Sequence, residues 1–439
     1  MFKRAIVSRC RTAMGGDKKR VLILGAGVAG ISAALKLKKI SARVPRLEVT
    51  LVDQRDYHSP LPFVWQVVSG GVDPRHISFP LNALLQKRGD PRPVRFRRSR
   101  VESIDVGNKV VSTDDGELHW DYLVIALGAS TNFFGMADAE QNSLSLKTLQ
   151  DAVNIHNHIL DSCEAALQEL DEQRRRELLT FVVVGGGPTG IELAAAIQDF
   201  VGNVLVRDYL SLRLLARVLL IEAQDGLLSG FKPRLSELAV SRLGARGIDV
   251  LLKTRIAKVS SGGIQTADGE TIPARTVVWA AGVKPVAVVE SLSFTSAKDG
   301  RIMVNQYLEV PESPTVYVLG DCAYLLQADS SVPYPPTHQV AARQGPVCAR
   351  NIIRVIQGKE QLAFRYKFKG QVIYVGRNMV LAQVWDRVFD GFAAALVRRV
   401  YYLWVFVSYL GLPTEFRRKM GAVRDWISAY FHHGNAGRL

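Results

Sequence analysis

Short apolar runs that end in glycine punctuate this chain, and they do so twice in the same order. Residues 21–24 are Val-Leu-Ile-Leu and lead straight into Gly25-Ala26-Gly27-Val28-Ala29-Gly30. A run without polar alternation predicts a strand buried on both faces, as in a parallel sheet. Residues 31–37 then predict a helix, and residues 47–52 a second strand that closes on Asp53. Residues 122–127 predict another buried strand, reaching Ala126 and Gly128. The order restarts downstream. Residues 181–184 lead into Gly185-Gly186-Gly187-Pro188-Thr189-Gly190, residues 191–197 predict a helix, and residues 218–221 a strand ending on Glu222. Residues 276–280 repeat the role of 122–127 and run into Ala281 and Gly282, and a last apolar strand at 316–319 meets Gly320-Asp321.

This grammar predicts an α/β protein with two Rossmann-like dinucleotide-binding domains, the second inserted in the first. The expected boundaries are a basic tail over 1–20, a first domain built from 21–150 and 290–358, a second over 151–289, and a C-terminal region over 359–439.

In each glycine turn the first glycine allows the tight bend, the second lets the backbone approach a pyrophosphate, and the third lets helix and strand pack closely. The pyrophosphate then faces the positive end of the helix. Each copy follows a strand, opens a helix and is followed by a strand ending in an acid, which lifts the signal above a lone glycine motif. Asp53 and Glu222 are the expected partners of a ribose diol. A carboxylate repels the extra phosphate of NADP, so Glu222 favours NADH. Two dinucleotides on one chain imply electron transfer between them.

Composition narrows the partners. The chain has 439 residues, 48% hydrophobic and 22% charged, enough for two or three domains with real cores. Its formal charge of +15 points to anionic partners. No nucleic-acid-binding motif accompanies it, so nucleotides and lipid headgroups are expected and nucleic acid is not. Cys10, Cys163, Cys322 and Cys348 are scattered without a C-x-x-C pair, which argues against a thiol–disulfide reductase, a zinc site or a disulfide scaffold. No metal is expected. Residues 1–20 are rich in Lys and Arg and lack a long apolar stretch, so they read as a basic tail or an organellar presequence, not a secretory signal.

From about Val21 onward the chain resembles the type II NADH dehydrogenases, single-subunit NADH:quinone oxidoreductases that pump no protons. The residues that carry the resemblance are 57–62 (Tyr-His-Ser-Pro-Leu-Pro), 185–192 (Gly-Gly-Gly-Pro-Thr-Gly-Ile-Glu), 278–283 (Val-Trp-Ala-Ala-Gly-Val), Gly320-Asp321-Cys322 and 335–345 (Pro-Pro-Thr-His-Gln-Val-Ala-Ala-Arg-Gln-Gly). The resemblance implies FAD at the first glycine turn, where Gly320-Asp321 reaches the ribityl and pyrophosphate and Val101 also lines the site, and NADH at the second turn. It implies a membrane quinone, menaquinone or ubiquinone, as acceptor. It carries Glu192 over as a residue near flavin and quinone, expected on the first turn of its helix, where a carboxylate can orient substrate or relay protons. The family's quinone motif reads roughly Ala-Gln-x-Ala-x-Gln. Gln339 and Ala341 keep it, while His338 and Arg343 replace the first alanine and the second glutamine. Gln339 is carried over as a flavin-edge and quinone residue. Arg343 alters the second position, and the neighbouring Gln344 is the alternative there. His338 is either a second proton donor or a hydrogen-bonded structural residue.

The C-terminal end predicts the site of electron delivery. Residues 392–412 are apolar and aromatic but interrupted by Arg398 and Arg399, which leaves too short a run for the roughly 20 residues of a membrane span. Phe416, Met420, Val423, Ile427 and Tyr430 then recur at helical spacing, with Arg417, Arg418, Lys419 and Arg424 on other faces. Such helices lie in the interface of an anionic bilayer, and the resemblance implies a peripheral protein on the cytoplasmic face of the inner membrane. The competing reading is a helical hairpin packed on the protein's own core or on a second copy in a homodimer. Two other functions stay open at this stage. One is a sulfide:quinone oxidoreductase using Cys163, Cys322 and Cys348, and the other is a flavoprotein that senses NADH without turnover.

Overall fold

The computed structural model describes residues 18–41, 44, 46–86, 94–205, 215–328, 330–368, 370–376, 379–385, 387–391, 393, 394, 397, 420, 421, 424 and 425. The chain forms two compact units. One comprises Met1–His58, Phe79–Ser130 and Lys284–Lys367; the other comprises Ser59–Ser78, Thr131–Val283 and Phe368–Leu439.

Along the chain, the first unit opens with β1 (Lys19–Leu24), α1 (Val28–Ile40), β2 (Leu47–Asp53), β3 (Arg95–Arg98) and β4 (Tyr122–Ile125). After Ser130 the second unit supplies β5 (Leu144–Ser145), α2 (Leu149–Gln168), β6 (Thr180–Val184), α3 (Pro188–Asp199), β7 (Arg217–Ile221), α4 (Pro233–Gly244), β8 (Ile248–Leu251) and β9 (Thr276–Trp279). The chain returns to the first unit for β10 (Glu309–Val310), β11 (Ser313–Val318) and α5 (His338–Ile356). It ends in the second with β12 (Gln371–Gly376), β13 (Met379–Val384) and β14 (Arg387–Phe389).

Each unit is built on its own sheet. The first has the order β10-β11-β4-β1-β2-β3, parallel except for β10 against β11. The second has the order β5-β9-β6-β7-β8 and is parallel throughout. The apolar runs earn these central places, because Val21–Leu24, Leu123–Ile125, Phe181–Val184, Val218–Ile221 and Val277–Trp279 are all buried. A three-stranded antiparallel meander precedes the strand beside the fingerprint strand in each unit, over 101–119 and over 256–273. The basic stretch 87–100 ends as the edge strand β3, where Arg97 pairs with Asp115 at 3.0 Å.

Particular contacts hold several connecting segments within these units. Residues 131–150 already serve the second sheet: Leu144 and Ser145 pair with Val278 and Trp279, and Ala139 joins that unit's core. Segment 59–78 also belongs there, since Trp65 stacks on Tyr374 of β12 at 4.2 Å. Residues 359–367 stay with the first unit, where the Phe364 N–H donates to the Gln306 carbonyl. Residues 371–389 form a three-stranded antiparallel sheet. Its hairpin is held in the second unit by Tyr374 and Arg246, both hydrogen-bonded to Asp199 at the end of α3. The stretches 392–412 and 416–430 predicted to meet a bilayer lie outside the described residues, apart from residues 393, 394, 397, 420, 421, 424 and 425. Of these, Asp425 accepts from the Asp73 N–H at 3.1 Å and pairs with His76 at 2.5 Å. Among the described residues no helix is long and apolar enough to cross a membrane.

In the first unit α5 packs along α1, and Gly345 is the point of closest approach. A Cβ there would overlap the Ala29 carbonyl oxygen and lie 2.7 Å from the Ala33 nitrogen. Gly345→Val must push the helices apart, and overpacking of this kind costs about 1–3 kcal/mol. A lower denaturant midpoint in chemical unfolding checks it; an unchanged midpoint would show the two helices do not pack this tightly.

Candidate functional site

The duplication seen in the sequence is repeated in the geometry of the two turns. In the first unit Gly25 has φ +97°, a conformation that favours glycine, and a Cβ there would overlap the Ala126 carbonyl. A Cβ at Gly30 would overlap the Gly25 carbonyl oxygen, so α1 starts hard against the end of β1. In the second unit Gly185 has φ +114° and its Cβ would lie 2.8 Å from Ala281 Cα, while a Cβ at Gly190 would overlap the Gly185 oxygen. The middle glycines differ in a telling way. A Cβ at Gly187 meets nothing within 4 Å and one at Gly27 only the Ala126 oxygen at 4.0 Å. These are helix N-caps whose outer side is left open, the space a phosphate would take. Pro188 and Thr189 form the first two positions of α3.

The acid at the end of the second strand reaches back to the same place in both units. Asp53 accepts from the Ala26 N–H at 2.7 Å and from the Arg55 N–H at 2.8 Å. Glu222 accepts from the Gly186 N–H at 2.6 Å and from the Gln224 N–H at 2.8 Å. Each carboxylate oxygen keeps a second lone pair for a ribose hydroxyl. The acids therefore brace the turns, a structural role that spacing alone does not reveal.

Around the first turn, Gly320 has φ +68° and its N–H donates to Gln344 Oε1 at 2.6 Å. Gln344 is buried and looks from α5 onto this turn. It lies five residues from Gln339, on a different side of the helix. Gln339 accepts from the Tyr366 hydroxyl at 2.6 Å, and Arg343, one turn on along the same side, is exposed. Asp321 follows Gly320 in a single 3-10 turn. Gly128 has φ +77°, and its carbonyl accepts from the buried Cys322 thiol at 3.0 Å. Val101 opens the antiparallel meander, half-buried opposite Thr113.

Two histidines of this unit are held neutral. His58 is buried and its Nδ1 lies 3.1 Å from the Ala26 carbonyl, which fixes the proton on Nδ1. Burial pulls its pKa down to about 4 against that hydrogen bond, with Arg55 adding to the fall. Burial does the same to His338, the first residue of α5, with His58 as a smaller contributor, again to about 4. His338 is therefore a poor proton donor at neutral pH.

Glu192 lies in the second unit, on α3. It occupies the helix's fifth position, past the first turn where it was expected, so the helix N-terminus is not its partner. The Tyr374 N–H donates to it at 3.4 Å instead. Part of the side chain stays accessible, yet the carboxyl is hemmed in by protein. Burial pushes its pKa up to about 8, outweighing the lowering by the Tyr374 N–H. A carboxyl in this range exchanges a proton near neutral pH. Its helix neighbours are fixed by the buried Asp199, seven residues on, which takes hydrogen bonds from Tyr374 and Arg246.

The cysteines offer little nucleophilic sulfur. Cys163 in the second unit and Cys322 and Cys348 in the first are buried and free. Burial pushes Cys163 and Cys322 up to about 12 and Cys348 well above its ordinary value. Sulfur transfer needs thiolates, which such sites disfavour. Among the described residues no cluster of His, Cys, Asp and Glu could hold a metal ion.

Comparison with known proteins agrees with this geometry. Residues 19–345 match the pyridine nucleotide-disulphide oxidoreductase family. A type II NADH:quinone oxidoreductase of Staphylococcus aureus (strain MSSA476) is 31% identical over 392 residues, covering 88% of this chain and 95% of the relative. One from Staphylococcus saprophyticus is 30% identical over 391 residues, covering 88% and 95%. Among solved structures, NDH2 from Plasmodium falciparum in complex with NADH superposes with a TM-score of 0.84 at 19% identity, covering 96% of this chain and 100% of that one. The sulfide:quinone oxidoreductase of Aquifex aeolicus reaches 0.70 at 20% identity, covering 92% of each chain. At these identities the two structures establish the shared fold alone.

The raised Glu192 carboxyl has a signed effect on stability. Below its ordinary pKa of 4.5 it is protonated folded and unfolded alike. Between 4.5 and about 8 only the unfolded chain loses the proton, so stability falls as pH rises, and above 8 the loss levels off. Glu192→Gln removes this slope. Its melting temperature relative to the parent is expected to climb across that window and then stay flat; a pH-independent difference would contradict the desolvated carboxyl.

Proposed function

Because this chain belongs to the type II NADH:quinone oxidoreductases of the pyridine nucleotide-disulphide oxidoreductase family, we propose that it holds FAD at the Gly25 turn, NADH at the Gly185 turn, and reduces a membrane quinone. The observation that carries this reading is the pair of open, acid-braced glycine turns, each at the start of a helix. Bound flavin supplies the redox chemistry, accepting a hydride from NADH and passing two electrons on.

The protein's part is binding, orientation and proton supply. Gly25, Ala26, Gly27 and Gly30 would seat the FAD pyrophosphate against α1, with Asp53 on its ribose. Gly320, Asp321, Ala126, Gly128 and Val101 line the remainder, and Gln344 holds the Gly320 turn in shape. Gly185, Gly187, Pro188, Thr189 and Gly190 would take the NADH pyrophosphate, with Glu222 on the adenosine ribose and Ala281 and Gly282 at the nicotinamide side. Gln339, fixed by Tyr366, would face the quinone, with exposed Arg343 beside it. Quinone reduction consumes two protons with its two electrons, and Glu192 would be a proton donor near neutral pH. We place the protein at the surface of an anionic bilayer, on the cytoplasmic face of the inner membrane, from the basic aromatic C-terminus and the charge of +15.

Anaerobic mixing tests the core of this. NADH should bleach the flavin band of the purified holoenzyme, and a menaquinone or ubiquinone analogue should restore it; no bleaching would refute the reading. Glu222→Gln should narrow the preference for NADH over NADPH by about tenfold, since a like charge no longer faces the extra phosphate. An unchanged ratio would remove Glu222 from cofactor choice.

A further inference from the structure

The loop after Ser130 holds a strained aromatic ring that none of the roles above uses. Phe134 has φ +53°, in the left-handed region that a bulky residue seldom occupies, and the side chain is 63% exposed. Such backbone strain persists only where the surroundings enforce it, and it clusters at ligand sites. Here the enforcement is explicit. The Phe134 N–H donates to Asn132 Oδ1 at 2.8 Å, and the Asn132 carbonyl accepts from Trp279 Nε1 at 3.0 Å. The same indole N–H also donates to the Ala281 carbonyl at 3.0 Å, while Phe133 packs against the Trp279 ring at 5.8 Å. Phe133 and Trp279 thus anchor the turn in the core of the second unit and leave Phe134 outside.

The ring points at a specific place. A Cβ built on Gly282 would lie 2.6 Å from Phe134 Cζ and 3.3 Å from Asn132 Cβ, so the aromatic tip sits directly against this glycine, whose φ of +70° itself favours glycine. Gly282 follows the carboxyl end of β9, next to β6 in the sheet. The Gly185 turn touches the preceding residue, Ala281. Between β9 and β6 the strand order reverses direction, and in open parallel sheets ligands bind at that switch point, outside the carboxyl ends of the strands. A rigidly held, solvent-facing ring at this lip meets a flat ring better than it meets a phosphate or sugar.

We propose that Phe134 is an aromatic wall of the NADH site that packs against the nicotinamide half of the dinucleotide. This rests on the reading of the Gly185 turn as the NADH site. Phe134 is a positioning and binding residue, taking no part in bond making.

Phe134→Gly in the full holoprotein tests it, because glycine removes the ring and also relieves the backbone strain. Titration calorimetry should find NAD⁺ binding about fivefold weaker and ADP-ribose, which lacks nicotinamide, bound as in the parent. The melting temperature should be unchanged or raised. Phe134→Tyr should restore NAD⁺ affinity, and Asn132→Ala, which frees the turn, should weaken NAD⁺ about twofold. Equal loss for both ligands would overturn the nicotinamide assignment, and parental affinity for both would remove Phe134 from the site. Should Phe134→Gly fail to fold, a purely architectural ring is indicated and the proposal falls. Failure of the parent itself to bind either ligand would instead overturn the NADH reading of the turn.

Discussion

One steric fact underlies both units: the first turn of a helix is pressed onto the end of a strand so closely that no side chain fits between them. At Gly30 and Gly190 a single added carbon would overlap the carbonyl of the first glycine of the motif. This contact sets the direction of α1 and α3. Their N-terminal N–H groups therefore point outward past Gly27 and Gly187, where the protein leaves space unfilled. An anion at those points meets a helix dipole and unpaired donors together. The binding property follows from packing.

The acids at the strand ends extend the same constraint. Asp53 and Glu222 accept from backbone N–H groups inside the glycine turns at 2.7 and 2.6 Å, tying the second strand of each unit to the turn of the first. A carboxylate used in this way is already ordered, so any ligand it met would cost less rotamer entropy. In the first unit α5 adds a further tie, with Gln344 on the Gly320 N–H and Gly345 against α1. Rigid support around an otherwise open cleft is what a permanently held cofactor requires.

Burial then sets the proton chemistry. His58 and His338 are kept neutral and Glu192 is kept protonated to about pH 8, in each case because desolvation penalises the charged form. The cysteine thiols are pushed the same way, toward the inert form. Burial thus favours the uncharged form of His58, His338, Glu192 and the Cys163, Cys322 and Cys348 thiols alike.

The sequence by itself determined the parts governed by local periodicity and by the absence of side chains. The apolar runs fell on central strands because unbroken hydrophobicity suits only a doubly covered sheet. The glycine turns fell where predicted because no other residue tolerates φ values of +97° and +114° with a carbonyl so near. Glu192, Gln344 and Phe134 were different, because their roles rest on contacts with residues tens to hundreds of positions away. Glu192 gained its partner from Tyr374, 182 residues on, Gln344 accepts from the Gly320 N–H, and Phe134 met Gly282 across a loop. Leu144 and Ser145 likewise joined the sheet of Val278 and Trp279, more than 130 residues on. Hydrogen-bond partners and desolvation are properties of three-dimensional neighbourhoods. A one-dimensional pattern could name the residues, and only the tertiary structure decided what surrounds them.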